Sequence, residues 1–207
     1  MAIDHDDISA RRIGSAVHYQ AVKRLIDLCA SASALMFLAP LFVAIAVIIR
    51  ATSRGPIFYW SLRAGRHSHP FRMPKFRTMH TGAPCVPTRE IIAPHRWVTP
   101  VGRVLRRTSL DEIPQLWSVL KGDMSLIGPR ALLVSETDIL QGRRALGVDQ
   151  VRPGITGWAQ INGRDSVSAP QKIALDFEYV RGMSLGMDLR IALETTKLVF
   201  LCRDISH

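Results

Sequence analysis

The sequence predicts a helix-rich α+β protein that combines one membrane-embedded helical element with a compact domain carrying a few short strands. The first observation behind this prediction is an uncharged apolar run of 22 residues from Leu28 to Ile49. The second is that the rest of the chain alternates extended and helical patterns between Gly and Pro residues. A chain of 207 residues accommodates one domain plus a membrane element. We predict a leader over 1–19, the membrane element over 20–54 and one functional unit over 55–207.

Charge and hydropathy together limit the partners of the chain. The formal net charge is +10, while hydrophobic residues make up 47% of the sequence and the mean hydropathy is +0.12. A chain that is both basic and apolar is suited to an anionic membrane surface and to phosphorylated ligands. Nucleic acid is the competing partner, but binding it would not require the apolar run. The scattered Cys29, Cys85 and Cys202 indicate reduced thiols in a cytoplasm-facing protein and no cysteine-held metal.

The apolar run is long enough to cross a hydrocarbon core of roughly 30 Å as a helix. Lys23 and Arg24 precede it, and Arg50 and Arg54 follow it, whereas a single crossing favours basic residues at one end. Pro40 lies near its middle and removes a backbone hydrogen bond there. We therefore predict a re-entrant helix–break–helix that enters and leaves on the same membrane face. A proline-kinked true span and a buried core helix are the alternatives.

The segment after the membrane element predicts a β-hairpin and a long loop. Residues 56–60 and 71–79 have strand patterns, and the Pro-rich segment His80–Arg96 is a candidate lid. Lys75 and Arg77 alternate with Phe76, so their cationic groups are expected on the same side of the second strand. Two cations on one side either bind a phosphate or face solvent.

Two adjacent carboxylates stand in the segment Arg106–Gln115, directly after a helix that begins at a Thr-Pro pair. Ser109 and Glu112 have the spacing of a capping box, which would place Asp111 in the first turn of a helix. Pro114 also permits a later start, with the proline in the first turn. In both registers an anionic carboxylate lies beside two arginines at a potential phosphate site. A capped surface helix with ordinary ion pairs is the competing interpretation.

The last third of the chain predicts a glycine-rich segment followed by two helices. The segment Val151–Arg164 combines two arginines, polar amides and Trp158, a set suited to a phosphorylated sugar nucleotide or to a purely structural hairpin. Helical patterns then extend from about Pro170 to Phe200, with an interruption near residues 183–186. The second of these helices is amphipathic enough to lie at the membrane interface.

Five ordered motifs, spread over roughly residues 20–200, together resemble the bacterial sugar transferase family of small monotopic phosphoglycosyl transferases. The motifs are Lys23–Asp27 with its apolar run, Lys75–Met79, Arg107–Glu112, Lys121–Arg130 and Val151–Arg164. The resemblance implies transfer of a sugar-1-phosphate from a UDP-sugar to polyprenol (undecaprenyl) phosphate, with release of UMP, as the first membrane step of bacterial glycoconjugate assembly. It also implies Mg²⁺, a re-entrant helix, and a catalytic domain on the cytoplasmic face of the inner membrane.

The resemblance also assigns roles to individual residues. Asp111 is implied as the nucleophile that forms an aspartyl-phosphosugar intermediate, and Glu112 either completes a Mg²⁺ site with Asp111 or orients it. Implied phosphate or substrate contacts, besides Arg106 and Arg130, are Lys75, Arg77, Arg152, Gln160 and Arg164. The helix break is Ala39-Pro40, whereas relatives often carry Ser-Pro there, so the freed backbone carbonyl needs another donor.

Two other functions remain compatible with the residues. A membrane-bound aspartyl phosphatase would use water to resolve the same intermediate, and a basic membrane adaptor would bind anionic lipid without catalysis. Release of UMP, with and without polyprenol phosphate, discriminates between them. Which sugar is transferred does not follow from the sequence, because no motif in it recognises hydroxyl stereochemistry or an N-acetyl group.

Overall fold

The computed structural model describes residues 5–83, 96–163 and 167–200, and its architecture is helix-rich α+β, as predicted, with 61% helix. The helices are α1 (His5–Thr52), α2 (Pro100–Arg107), α3 (Gln115–Lys121), α4 (Thr137–Ala145), α5 (Trp158–Ile161), α6 (Ala169–Gly182) and α7 (Leu185–Phe200). The strands are β1 (Phe58–Ala64), β2 (Pro70–Phe76), β3 (Ser125–Ile127) and β4 (Gly154–Thr156). Short 3₁₀ turns occur at Arg66–Ser68, Leu110–Glu112 and Val148–Gln150.

Helix α1 contains the predicted membrane element. Within the described part of the chain, His18–Thr52 is the one helical stretch long and apolar enough to cross a membrane. The helix continues through Pro40, so the predicted division into two helices is not seen as an interruption. A single proline removes one backbone hydrogen bond, and the bonds on either side of it are enough to keep the segment helical. The re-entrant path itself stays a prediction.

One face of α1 packs against the rest of the protein along most of its described length. Asp27, Ser31, Ile45 and Ile49 are buried, and partly buried residues fill the turns between them. Their spacing of three or four residues, repeated along the helix, defines a single stripe. The opposite face is apolar and exposed, with Phe37 84% accessible. Both ends of the apolar helix therefore contact the same domain, while an uncovered apolar surface runs between them.

The strands form two small sheets. β1 and β2 pair antiparallel, with Tyr59 opposite Lys75, and β3 pairs with β4 in parallel through Ser125 and Gly154. The hairpin confirms the two predicted strands, although β2 begins one residue earlier and ends at Phe76. Phe76 is buried in a core that also contains residues of α1, α2 and α3. This core fixes β2 against the segment that carries the carboxylates.

The chain between α2 and α3 differs from the predicted capped helix. The α2 start is confirmed, because the Thr99 hydroxyl accepts a hydrogen bond of 2.9 Å from the Gly102 amide. Ser109, however, has a left-handed backbone with φ of 57° and makes no side-chain cap, so the predicted capping box is wrong. Asp111 and Glu112 lie in a separate 3₁₀ turn, and α3 begins only after Pro114. The Glu112 side chain accepts a hydrogen bond from Lys75 instead of capping the backbone.

The C-terminal part confirms two helices separated at residues 183–184. α6 begins with a capping box between Ser168 and Gln171. α7 exposes a stripe of leucines at every fourth position, Leu185, Leu189 and Leu193. Of the predicted lid, residues 84–95 lie outside the described residues.

Candidate functional site

Asp111 and Glu112 face two cations that come from distant parts of the chain. Lys75 Nζ lies 2.5 Å from Glu112 Oε1 and 3.9 Å from Asp111 Oδ2. Arg130 Nη2 lies 3.9 Å from the same Glu112 oxygen. Lys75 belongs to β2, Arg130 follows β3, and the carboxylates lie in the 3₁₀ turn between α2 and α3. The fold thus brings together four of the predicted site residues.

Local structure explains how these side chains converge. The left-handed backbone at Ser109 ends α2 and turns the chain into the 3₁₀ turn, whose flanking residue Ile113 is buried in the core. On β2, Met73 and Lys75 are two residues apart and therefore share one face of the strand. Both line the cleft beside Glu112. Ile113 and Met73 are therefore buried apolar side chains on the same two elements as Glu112 and Lys75. Their burial fixes the positions of the two charged side chains at the cleft.

The two carboxyl groups are shifted in opposite directions. Burial raises the pKa of Asp111 to about 6, opposed by Lys75 and further raised by the Glu112 charge. Burial also acts to raise the pKa of Glu112, but Lys75 and Arg130 outweigh it and hold that pKa at about 2. Glu112 is therefore a permanent anion paired with Lys75, while Asp111 is ionised near neutral pH but carries a higher free energy as a carboxylate.

Arg106 and Arg130 are also held in place around the carboxylates. Arg106 Nε donates a 2.9 Å hydrogen bond to the Thr78 hydroxyl, and burial lowers its pKa while the Asp111 charge acts to raise it. The backbone carbonyl of Arg130 accepts a 2.8 Å hydrogen bond from Arg143 Nη1, and its side chain is 40% exposed. An arginine with a fixed backbone and an accessible guanidinium is suited to binding a phosphate group from solution.

Three other predicted contacts lie away from the carboxylates. Arg77 is buried and donates to the carbonyls of Ser53 and Arg54, at the end of α1. It follows the last residue of β2, so the expected alternation with Lys75 does not bring it into the cleft. Gln160 Nε2 donates to the Ile155 carbonyl.

Arg152 Nε donates to the Gly122 carbonyl and lines a different cleft, which shares no residue with the Glu112 cleft. The predicted contact at Arg164 lies outside the described residues. Within the described structure, the glycine-rich segment therefore contributes Gly154 and Ile155, not an arginine or a side-chain amide, to the lining of the Glu112 cleft.

Sequence reasoning missed Arg63 and Gln115, which line the cleft with Lys75 and Glu112. Arg63 Nη1 donates to the Ala131 carbonyl, and burial followed by the nearby Arg130 charge lowers its pKa. The pairing of β1 with β2 is the observation from which the position of Arg63 could have been predicted. Tyr59 pairs with Lys75, and Arg63 is four residues further on the same face of β1. No comparable pattern marks Gln115.

The two carboxylates are oxygen donors of the type that Mg²⁺ prefers. Within the described residues no group of three or more His, Cys, Asp or Glu side chains can hold a metal alone. Mg²⁺ is commonly bound by one or two carboxylates, water and substrate phosphate oxygens. Lys75 occupies Oε1 of Glu112, whereas Asp111 has a longer ion pair and a raised pKa. The Asp111 carboxylate is accordingly the better placed oxygen ligand of the two.

Comparison with known proteins identifies the group to which this site belongs. The family model of the bacterial sugar transferases matches residues 18–202. The uncharacterized sugar transferase EpsL of Bacillus subtilis is 38% identical over 186 residues, which are 90% of this chain and 91% of that protein. The exopolysaccharide production protein ExoY of Rhizobium meliloti is 36% identical over 197 residues, covering 87% and 86% of the two chains.

A longer relative matches over the same region. The undecaprenyl-phosphate glucose phosphotransferase of Komagataeibacter xylinus is 38% identical over an alignment of 200 positions, which covers 88% of this chain and 36% of that protein. The match spans the apolar helix, the carboxylate turn and the glycine-rich segment. The chain belongs to the bacterial sugar transferase family.

Proposed function

We propose that the protein transfers a sugar-1-phosphate from a UDP-sugar to polyprenol phosphate and releases UMP, through a covalent intermediate on Asp111. The observation that carries this proposal is a buried carboxylate with a pKa of about 6 that is influenced by the charges of Lys75 and Arg106. Arg130 lies 3.9 Å from the adjacent Glu112. Relatives named as glucose-1-phosphate transferases act on undecaprenyl phosphate, as their names state. Polyprenol phosphate is therefore the acceptor expected for this chain.

In the first step, an oxygen of Asp111 attacks the phosphorus that carries the sugar. A phosphorus–oxygen bond to Asp111 forms, the bond to the bridging diphosphate oxygen breaks, and UMP leaves with the bond electrons. Burial favours this reaction because the ionised Asp111 is poorly solvated and its charge is lost on bond formation. Arg130, with an exposed guanidinium, supplies positive charge to the phosphate oxygens.

In the second step, an oxygen of polyprenol phosphate attacks the same phosphorus and displaces the Asp111 carboxylate. The product is a polyprenyl diphosphosugar, and the carboxylate is regenerated without a net proton change. Glu112 stays anionic and holds Lys75 at 2.5 Å, so that Lys75 is oriented beside Asp111 in both steps. Asp111 and Glu112 are the residues that would hold Mg²⁺, and the bound ion would neutralise phosphate charge.

A re-entrant, monotopic membrane attachment is part of the proposal. A helix of 35 residues is about 50 Å long, well over a hydrocarbon core of roughly 30 Å. Lys23 at one end bonds to Asp188, and Ile45 and Ile49 at the other end lie in the core beside Phe76. Because both ends contact one polar domain, neither is free to reach the opposite side of a bilayer. The exposed apolar face of α1 and the leucine stripe of α7 then lie towards lipid.

We propose that the catalytic domain lies on the cytoplasmic face of the bacterial inner membrane, where it would meet a soluble UDP-sugar from one side and a lipid phosphate from the bilayer. Single-cysteine variants at Gln20 and Thr52, in a background without the three native cysteines, test the topology. Both positions are expected to react with an impermeant thiol reagent from the cytoplasmic side only. Labelling of the two positions from opposite sides would refute the re-entrant path.

The reaction is tested by UMP release from a panel of UDP-sugars, with and without polyprenol phosphate. We expect sustained UMP release only when polyprenol phosphate and Mg²⁺ are present, and at most one UMP per protein without the acceptor. Sustained release without acceptor would instead assign a phosphatase, and no release with any UDP-sugar would contradict the proposed reaction. The sugar that gives the highest kcat/KM identifies the donor.

A further inference from the structure

A second cleft lies between the N-terminal part of α1 and the segment that leads into β4, and the proposed reaction does not use it. We call it the α1 cleft. It is open to solvent on one side. Its lining includes the charged residues Lys23, Arg24, Asp27, Arg66 and Arg152, together with the hydroxyl of Ser125. Two further lining hydroxyls, those of Tyr19 and Tyr179, donate to Asp188.

The α1 cleft carries an excess of positive charge. Lys23 is neutralised by Asp188, which accepts from it at 2.8 Å. Asp27 is the acidic residue that lines the cleft, and its Oδ1 accepts a 3.0 Å hydrogen bond from the Leu126 amide. The three guanidinium groups of Arg24, Arg66 and Arg152 therefore face one carboxylate, which leaves two positive charges uncompensated within the cleft.

Each of the three arginines donates to a backbone carbonyl, and these contacts do not use all the N–H donors of its guanidinium group. Arg24 donates to the Val119 and Leu120 carbonyls, and Arg152 Nε to the Gly122 carbonyl, so both stabilise the C-terminal end of α3. A role at that helix end does not explain Arg66, which donates to the Gln150 carbonyl. Each guanidinium has five N–H donors, more than these contacts use.

Mutual repulsion within the cluster indicates that an anion would stabilise it. Burial lowers the pKa of Arg152, and the nearby charges of Arg24 and Arg66 lower it further, while the single carboxylate of Asp27 acts to raise it. A helix end needs one or two cations, whereas three that repel one another have an unfavourable interaction energy unless an anion lies between them. The geometry and the charge both predict an anionic ligand.

Ser125 gives an independent indication of a polar ligand. Its side chain is 2% exposed, it lines the α1 cleft, and its hydroxyl has no hydrogen-bond partner among the described residues. Buried hydroxyl groups are normally paired, because an unpaired one costs roughly 1–3 kcal/mol. A ligand oxygen in the cleft would complete this hydrogen bond.

The position of the cleft identifies the source of the anion. Leu25 and Ile26, directly after Arg24, are 62% and 49% exposed, and they begin the uncovered apolar face of α1. The cleft thus lies at the border between an apolar surface and a cationic one. Phospholipid headgroups occupy this border in a membrane, with acyl chains on the apolar side. A soluble phosphate has no apolar part that would contact the apolar side.

We propose that the α1 cleft binds the phosphodiester group of an anionic phospholipid, contacted by Arg24, Arg66, Arg152 and the Ser125 hydroxyl, while its acyl chains follow the exposed face of α1. The bound lipid fixes the depth of the N-terminal part of α1 in the membrane. This inference does not depend on the proposed transferase reaction.

The test measures binding of phosphatidylglycerol to the full chain in neutral detergent micelles by native mass spectrometry, with phosphatidylcholine as the neutral comparison. The variants are Arg66→Gln and Ser125→Ala. Arg50→Gln is the matched control, because it removes one exposed cation from the other end of the apolar run. Thermal unfolding of each variant verifies that it is folded.

We expect wild-type protein to retain phosphatidylglycerol in preference to phosphatidylcholine. Arg66→Gln is expected to weaken phosphatidylglycerol binding about tenfold, Ser125→Ala about threefold, and Arg50→Gln less than about twofold. Equal losses in Arg66→Gln and Arg50→Gln would overturn the proposal in favour of general charge attraction. Displacement of the lipid by millimolar inorganic phosphate would overturn it in favour of a soluble anion.

Discussion

The Asp111–Glu112 cleft and the Arg143–Asp176 pair are two buried acid–base clusters with opposite organisation. Arg143 donates to Asp176 through Nε at 2.9 Å and through Nη2, and both residues are almost fully buried. In the cleft, Lys75 is 2.5 Å from Glu112 but 3.9 Å from Asp111, and the lysine and Glu112 side chains are 16% and 20% exposed. One cluster is closed to solvent, and the other is open.

The difference separates a structural role from a reactive one. Burial raises the pKa of both Asp176 and Asp111. Asp176, however, accepts two hydrogen bonds from Arg143 and is buried, so a substrate has no access to it. Asp111 has a cation at the limit of ion-pair distance, and its neighbour Glu112 lines the cleft. The two clusters are connected, because Arg143 also holds the Arg130 carbonyl and so positions a residue of the cleft.

The largest expected effect comes from Asp111→Asn, which removes the nucleophile. We expect UMP release to fall at least about 10³-fold, since loss of a covalent nucleophile removes the whole two-step route. The matched control is Asp123→Asn, an exposed-turn acid paired with Lys121, which is expected to retain activity. Near-normal turnover by Asp111→Asn would contradict the proposed mechanism.

The same Asp111→Asn variant is expected to be more stable than wild type. The folded-state pKa of about 6 lies above the ordinary 3.8, so the folded protein binds the proton more tightly than the unfolded chain does. Ionised Asp111 therefore costs stability, fully above pH 6 and not at all below pH 3.8. We expect a gain of roughly 1–3 kcal/mol in unfolding free energy at pH 8 that fades towards pH 4. A less stable variant at pH 8 would show that the carboxylate is structurally satisfied.

Disruption of the Arg143–Asp176 pair is expected mainly to lower the free energy of unfolding. Asp176→Ala leaves Arg143 buried without its counter-charge, which costs about 3–5 kcal/mol. The control Glu178→Ala changes an exposed acid on the same helix and is expected to cost less than about 0.5 kcal/mol. Denaturant unfolding in detergent measures both. Equal small effects would mean that the Arg143–Asp176 pair does not contribute to stability.

Lys75→Gln is expected to change both rate and pH dependence. Turnover of wild type should rise through pH 6 as Asp111 ionises and then level off. Lys75 lowers the pKa of Asp111, so its removal moves this rise to higher pH and reduces turnover at pH 7 by about 10²-fold. The pH profile of kcat/KM tests this, and an unshifted profile would rule out electrostatic control of Asp111 by Lys75.

The smallest effect is expected for Arg77→Gln. Arg77 bonds to the Ser53 and Arg54 carbonyls and not to the carboxylates, so the change should cost about 1.5–3 kcal/mol of stability. The KM for the UDP-sugar should stay within about twofold of wild type when measured on folded protein. A KM increase of tenfold or more would contradict this expectation and support the predicted contact between Arg77 and the substrate.

Local signals in the sequence were sufficient for several elements. The Thr99-Pro100 start of α2 and the apolar run of α1 each follow from one short pattern, and both are confirmed. These features depend on backbone conformation or composition within a few residues. No distant contact is needed to specify them.

The geometry of the site depended on long-range contacts and was predicted less well. Glu112 has the spacing of a capping residue, but Lys75, 37 residues away, offers a charge-assisted contact at 2.5 Å that replaces the cap. Arg77 alternates with Lys75 in the sequence, yet β2 ends before it. Arg152 and Lys75 belong to one family motif set but to separate clefts. Side-chain partners at this distance are set by packing, which the sequence does not display.

The most direct test of the central claim is detection of the covalent intermediate. Wild-type protein is incubated with UDP-sugar and Mg²⁺ without polyprenol phosphate, quenched in acid and digested for peptide mass spectrometry. We expect a phosphosugar mass on the peptide that contains Asp111. This mass should disappear when polyprenol phosphate is added, and it should be absent in Asp111→Asn. An adduct on another residue, or UMP release with acceptor but no adduct under any quench, would contradict the covalent mechanism.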